Sequence, residues 1–261
     1  MADTLALGAS AARREGSSPF PGTIQKINKL RISEMRSIID QNTASRKVLS
    51  DSQKVHFPYL IITAGLGIVV RKNVFSPSHF NGWKIFNKNF PSVRNKNVLE
   101  IGTGTGVTAL FLAKKGAKKV VAVDINPHAV RNAKENVKLN QLKNVEVRRS
   151  DIYSRIKKNE RFDVIYWNMP FMPMPPDYKH RSVLERGLFD PGYKITKKFL
   201  EEGKKFLVQE GKILLGTGDF GDIPCLKKIA KKFHYRVKRI AKEKSVEINP
   251  VTFELYELKP Q

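Results

Sequence analysis

Asn168-Met169-Pro170-Phe171 directly follows the apolar run Phe162 to Trp167. An asparagine side-chain oxygen and the next backbone carbonyl can together accept both N–H hydrogens of an amide or aromatic amine. That arrangement aims the nitrogen lone pair and stabilises positive charge developing on the nitrogen. Such chemistry needs no strong base, and no histidine is spaced to be one. A proline stiffens the loop, and an aromatic ring can stack on a planar group. A second constellation lies upstream, where Gly102, Gly104 and Gly106 follow the apolar stretch ending at Ile101. Glycines let a backbone turn sharply and approach a ligand closely. Glu100, two residues before the first of them, would repel a pyrophosphate and suits the amino group of a cationic ligand. Asp124 stands 18 positions after Gly106, where a carboxylate can accept hydrogen bonds from both hydroxyls of a ribose. Asp151 follows another apolar stretch, in reach of an adenine amino group.

The elements that position these residues can be read from hydrophobic periodicity. From Asn97 onward, short apolar strands alternate with helices. Strands are expected over 97–101, 119–126, 145–151, 162–168 and 211–218. Helices are expected over 107–116, closed by Gly116, and over 127–142, with Pro127 in the first turn, then over 192–207 and 222–233. Alternation of this kind implies right-handed crossovers and a mainly parallel sheet covered on both faces. The last two segments, 235–245 and 251–259, have no helix between them and suit an antiparallel hairpin at the sheet edge. Upstream, Thr23 to Gln41 carries apolar residues at helical spacing, and Tyr59 to Val70 reads as two strands around a glycine turn. Residues 1–22 are expected to be a flexible tail, 23–92 a helix-plus-hairpin extension and 93–261 the main domain.

Composition bounds the rest. A chain of 261 residues can bury one sizeable core. One cysteine, Cys225, excludes an internal disulfide and fits a reducing, cytoplasmic setting. The longest apolar run is too short for a membrane span. His79, His128 and His180 have no metal-ligand spacing, so no metal is expected. Forty-eight basic residues against 24 acidic ones give a net charge of +24. Such a chain should attract RNA, ribosomes or another polyanion. Its lysines come as scattered pairs without aromatic interleaving. The run Met169 to Pro176, rich in methionine and proline, is expected to form a flexible lip.

Taken together, the glycines, Glu100, Asp124 and Asp151 resemble the class I S-adenosylmethionine-dependent methyltransferases, from about Asn97 to Asp219. The resemblance implies a Rossmann-like α/β fold with a seven-stranded, mostly parallel sheet. It implies S-adenosyl-L-methionine held by Glu100, Gly102, Thr103, Gly104, Gly106, Asp124, Ile125, Asp151, Ile152 and Asn168. Residues 168–171 resemble the (D/N)-P-P-(Y/F) motif of amino-methyltransferases, with Met169 where the motif carries another proline. By that resemblance Asn168 and the Met169 carbonyl hold the target nitrogen beside the cofactor methyl, Pro170 stiffens the loop and Phe171 faces the target's plane. The segments 65–77 and 186–215 resemble the HemK-like group of protein glutamine methyltransferases. That group's acidic segment after the hairpin is Pro77 to Trp83 here, without a carboxylate. The expected activity is N-methylation of a planar amide or amine, such as a protein glutamine. The alternatives are an exocyclic amine of ribosomal RNA or a small-molecule amide or guanidine. Outside catalysis, the alternative is an RNA- or ribosome-binding module that has lost methyl transfer.

Overall fold

The computed structural model describes residues 40–245 and 251–261. The helix expected over Thr23 to Gln41 therefore lies almost wholly outside the described residues, as does the tail. A helix over residues 41–52, α1, leads into the hairpin β1 (Tyr59–Thr63) and β2 (Leu66–Val70), paired antiparallel as expected. A short helix α2 (Gly82–Lys88), unforeseen by periodicity, closes this region.

The main sheet then builds in the expected rhythm. Its elements are β3 (Asn97–Ile101), α3 (Val107–Lys114), β4 (Lys119–Asp124), α4 (Pro127–Leu139), β5 (Val145–Arg149) and β6 (Phe162–Asn168). They continue with α5 (Lys194–Gly203), β7 (Leu207–Gly218), α6 (Ile223–Lys232), β8 (Tyr235–Lys244) and β9 (Thr252–Pro260). The seven strands run in the order β5-β4-β3-β6-β7-β9-β8. Pairs from β5 to β7 are parallel, and β9 pairs antiparallel with both β7 and β8. The last two strands thus form the expected antiparallel hairpin, with β8 at the edge and β9 inserted beside β7.

Burial on both faces explains the near-continuous apolar strands. One face packs Phe199, Leu200, Leu226 and Ile229 of α5 and α6 against Leu99, Ile165 and Leu215. The other packs Phe86, Ala109 and Val130 of α2, α3 and α4 against Val98, Tyr166 and Leu214. The polypeptide order reverses between β3 and β6, so the carboxyl ends of these two strands flank the crevice where open α/β sheets bind ligands.

Several boundaries differ by a few residues from the sequence reading. The third strand ends at Arg149, because Ser150 donates its backbone N–H to the Asp124 carbonyl and its hydroxyl to the Ile152 carbonyl, which turns the chain. The helix expected over 192–207 ends at Gly203, and β7 begins at Leu207 after one 3₁₀ turn.

Candidate active site

Trp167 of β6 pairs with Ile101 of β3, so the next residues along the two strands are Asn168 and Gly102. The glycine loop and the tetrapeptide thus begin side by side at adjacent strand ends, about 5 Å apart. Gly102, Gly104 and Gly106 all have positive φ, which only glycine adopts at low cost. Gly106 also packs tightly, since a Cβ there would come within 3.0 Å of Leu110 and 3.2 Å of Ala133. Gly104 is different: a Cβ built on it meets nothing within 4 Å. The loop therefore presents an open backbone surface.

Glu100 is buried beneath this loop and accepts the Thr103 hydroxyl at 2.6 Å. Burial pushes its carboxyl up to about 8, and repulsion from Asp124 adds to the shift while the Thr103 bond opposes it. Tyr166, its cross-strand neighbour, is fully buried, and its hydroxyl has no partner among the described residues. Asp124 ties the loop to the second strand. Its Oδ2 accepts the Gly104 amide and its Oδ1 the Asn126 amide, each at 2.9 Å. Burial nevertheless raises its carboxyl above the usual range. Asn126, and not Asp124, caps α4 by accepting the His128 amide. Ile125 lies between them, half-buried, and Ile152 is buried behind Asp151. Asp151 sits two residues past its strand, exposed, with Lys198 at 3.7 Å.

Asn168 is the exposed last residue of β6, and its carboxamide has no hydrogen-bond partner among the described residues. Met169 donates its N–H to the Gly216 carbonyl at 3.0 Å, which extends the β6–β7 ladder by one bond. Its side chain is 2% exposed, in the core shared with α5 and α6. Pro170 is buried too. Phe171 is half-buried, with its ring against Gly218 and edge-to-face with Phe253 at 6.5 Å. The expected lip is anchored at its start: Met172 is buried among Leu49, Leu188 and Phe189.

Several residues that hold the site escaped sequence reasoning. Asn132 and Asn136 of α4 and its C-cap Asn140 hydrogen-bond the backbone of Gly67 and Val69 of β2 and of Arg71 just after it. Asn136 also donates to the Thr105 carbonyl at 2.9 Å, joining hairpin to glycine loop. Their spacing of four residues was the available signal. Asp190 accepts the Ile195 and Thr196 amides and the Thr196 hydroxyl, starting α5. Arg46 of α1 donates to Glu185 at 3.1 Å and to the Tyr178 hydroxyl at 3.0 Å, and its guanidinium lies over the Phe189 ring. These contacts hold the segment 172–193 against α1. Among the described residues, no cluster could hold a metal and no helix is long and apolar enough to cross a membrane.

Comparison with known proteins agrees with this geometry. A protein of Methanocaldococcus jannaschii named "Putative protein N5-glutamine methyltransferase" is 39% identical over 155 residues, or 58% of this chain and 76% of that one. A ribosomal protein L11 methyltransferase of Lactobacillus gasseri is 28% identical over 146 residues, but the match spans only 39% of its length. Among solved structures, a methyltransferase of Pyrococcus furiosus has TM-score 0.54 and 22% identity, covering 88% of this chain and all of that one (100%). M. jannaschii TYW2 in complex with S-adenosylmethionine has TM-score 0.50 and 23% identity, covering 78% and 86%. The methyltransferase small domain matches residues 65–248. The open glycine surface and the carboxylates beside it fit the cofactor of that family. The chain belongs to the methyltransferase small domain family and is an S-adenosylmethionine-dependent methyltransferase.

Proposed function

We propose that this enzyme methylates the nitrogen of a planar carboxamide, with a protein glutamine side chain as acceptor. The observation that carries the reading is the unpartnered, exposed carboxamide of Asn168, one strand away from Gly102. Bound at the glycine loop, S-adenosylmethionine supplies an electrophilic methyl group on a sulfonium. The backbone of Gly102, Thr103, Gly104 and Gly106 would line its amino-acid end, with Glu100 beneath the loop, where the cationic amino group would favour the ionised carboxylate that burial disfavours. A carboxylate has about four lone-pair sites. Asp124 accepts backbone amides of Gly104, Ile125 and Asn126, and its remaining lone pairs would take ribose hydroxyls. Ile125 and Ile152 would flank the adenine, with Asp151 at its amino group.

An amide nitrogen is a poor nucleophile, because its lone pair is delocalised. Asn168 Oδ1 and the Met169 carbonyl would each accept one N–H of the acceptor, which turns the lone pair toward the methyl. The same two oxygens stabilise the positive charge that develops before the nitrogen releases a proton to water. Rigidity is supplied from the Met169 N–H bond to Gly216 and from buried Pro170. Phe171 forms the wall on the β7 side. The M. jannaschii relative, named for glutamine N5 methylation, supports the acceptor class.

Asn168→Ala is expected to keep cofactor affinity in calorimetry and to lose turnover by about 100-fold. Turnover is read by transfer of tritiated methyl from the cofactor to protein in a lysate, with the labelled residue identified by mass spectrometry. Undiminished turnover in this variant would rule out the mechanism. Label removed by RNase instead of protease would replace glutamine with an exocyclic base amine.

A further inference from the structure

We propose that the face carrying α5 and α6 is a docking track for single-stranded RNA, ending in the cavity beside Asp151. The three lysines of α5 (Lys194, Lys197, Lys198) and four of α6 (Lys227, Lys228, Lys231, Lys232) are all exposed. The two helices pack together on one face of the sheet. α6 contains no acidic residue, and α5 only Glu201 and Glu202. Among these lysines, only Lys198 has a carboxylate partner among the described residues, Asp151 at 3.7 Å. Lys194 and Lys197 donate instead to the carbonyls of Pro176 and Gly192, at 2.8 and 3.0 Å. Those bonds fix the two ammonium groups in place without neutralising them.

The track leads to a cavity of about 320 Å³, lined in part by Lys194, Lys198, Arg186, Tyr178 and His180, and bordered by Asp151 and Ile152 of the proposed adenine site. Arg186 is exposed and has no partner among the described residues. The Tyr178 and His180 rings stand edge-to-face at 5.9 Å. Cations along two adjacent helices, with aromatic rings in the cavity at their end, are what an unpaired, stacking nucleotide strand requires. Each helix is about 15 Å long, which suits an extended polyanion better than one small anion. A lipid surface would need apolar side chains among the cations, but Phe199, Leu200, Leu226 and Ile229 of these helices are buried in the core.

This docking is independent of the acceptor assignment at Asn168. The probe is a fluorescein-labelled oligouridylate of about 20 nucleotides, titrated with the full chain and followed by anisotropy from about 50 to about 200 mM KCl. Combined substitution Arg186→Gln, Lys194→Gln, Lys197→Gln and Lys228→Gln should weaken binding at least about tenfold. It should also flatten the slope of log affinity against log salt by about 2 or more. A control set of equal charge, Lys115→Gln, Lys134→Gln, Lys138→Gln and Lys143→Gln, lies on or beside α3 and α4 and should change affinity less than about threefold. S-adenosylhomocysteine affinity, measured by calorimetry, should be the same in all three proteins. Equal weakening by both sets, or none by the first, overturns the track. Loss of S-adenosylhomocysteine affinity in the first set would also overturn it, by assigning the cavity to the cofactor's adenine end.

Discussion

Glu100→Gln isolates the effect of one buried proton. In the folded chain the Glu100 carboxyl is pushed from 4.5 up to about 8, by burial first and by Asp124 second. Between those two values the folded state holds a proton that the unfolded state has released. Stability therefore falls as pH rises through this interval and levels off above about 8. One pH unit inside the interval corresponds to about 1.4 kcal/mol. Between pH of about 5.5 and about 8.5 this group alone should remove about 3 kcal/mol of stability. Glutamine has no proton to lose and nearly the same shape. The Ala109 amide, which bonds the Glu100 carboxyl, can donate to the new side-chain oxygen. The Thr103 hydroxyl, now a donor to Glu100, can rotate and accept from the new amide. Urea unfolding without cofactor, at the two pH values, measures the difference. The wild-type chain should lose about 3 kcal/mol more than the variant, or about 6–12 °C in Tm for a domain of this size. All other titrating groups are shared, so their effects cancel. Parallel loss in both proteins would show that Glu100 ionises in the fold near its ordinary pH, and would refute the buried-carboxyl account.

Met169→Pro removes the N–H that bonds Gly216 and replaces a buried side chain with a smaller one. It should cost about 2–4 kcal/mol in urea unfolding, and an unchanged midpoint would contradict the placement of Met169 in the core. Asn136→Ala strands the Thr105 carbonyl and the Val69 amide, while Asn132 still bonds the Val69 carbonyl. A loss of about 2–3 kcal/mol is expected, with faster amide exchange at Gly104 and Gly106 than in Asn132→Ala, which leaves the glycine loop untouched. Equal exchange in the two variants would mean that Asn136 does not steady that loop.

The strand–glycine–helix alternation was legible because parallel strands buried on both faces read as apolar runs, and because Pro127 and Gly116 mark helix ends. Glu100, Asp124 and Asn168 could be placed from sequence because each sits at or near a strand end. Asp151 was read as the end of its strand, which stops two residues earlier, at Arg149. The Ser150 side chain redirects the backbone there, and a serine carries no such signal on its own. The asparagines of α4 look like a solvated helix face until the hairpin is known to cover it. Likewise, the lysine pairs showed no aromatic interleaving, because Tyr178 and His180 reach the α5 lysines through the fold and not along the chain.

Met169 shows why a motif read alone misleads about its own variant. Against the (D/N)-P-P-(Y/F) pattern it stands out as a lost proline, and hence as a looser loop. In the fold its amide gains a bond that proline could not make, and its side chain fills space among residues of β7, α5 and α6. The loop's stiffness is thus moved from the ring of a proline to the sheet and core behind it. The carbonyl that the proposed chemistry uses belongs to the backbone and does not depend on which side chain is present. Residue 169 therefore acts through its amide and its packing, and not as a rigid ring in the loop.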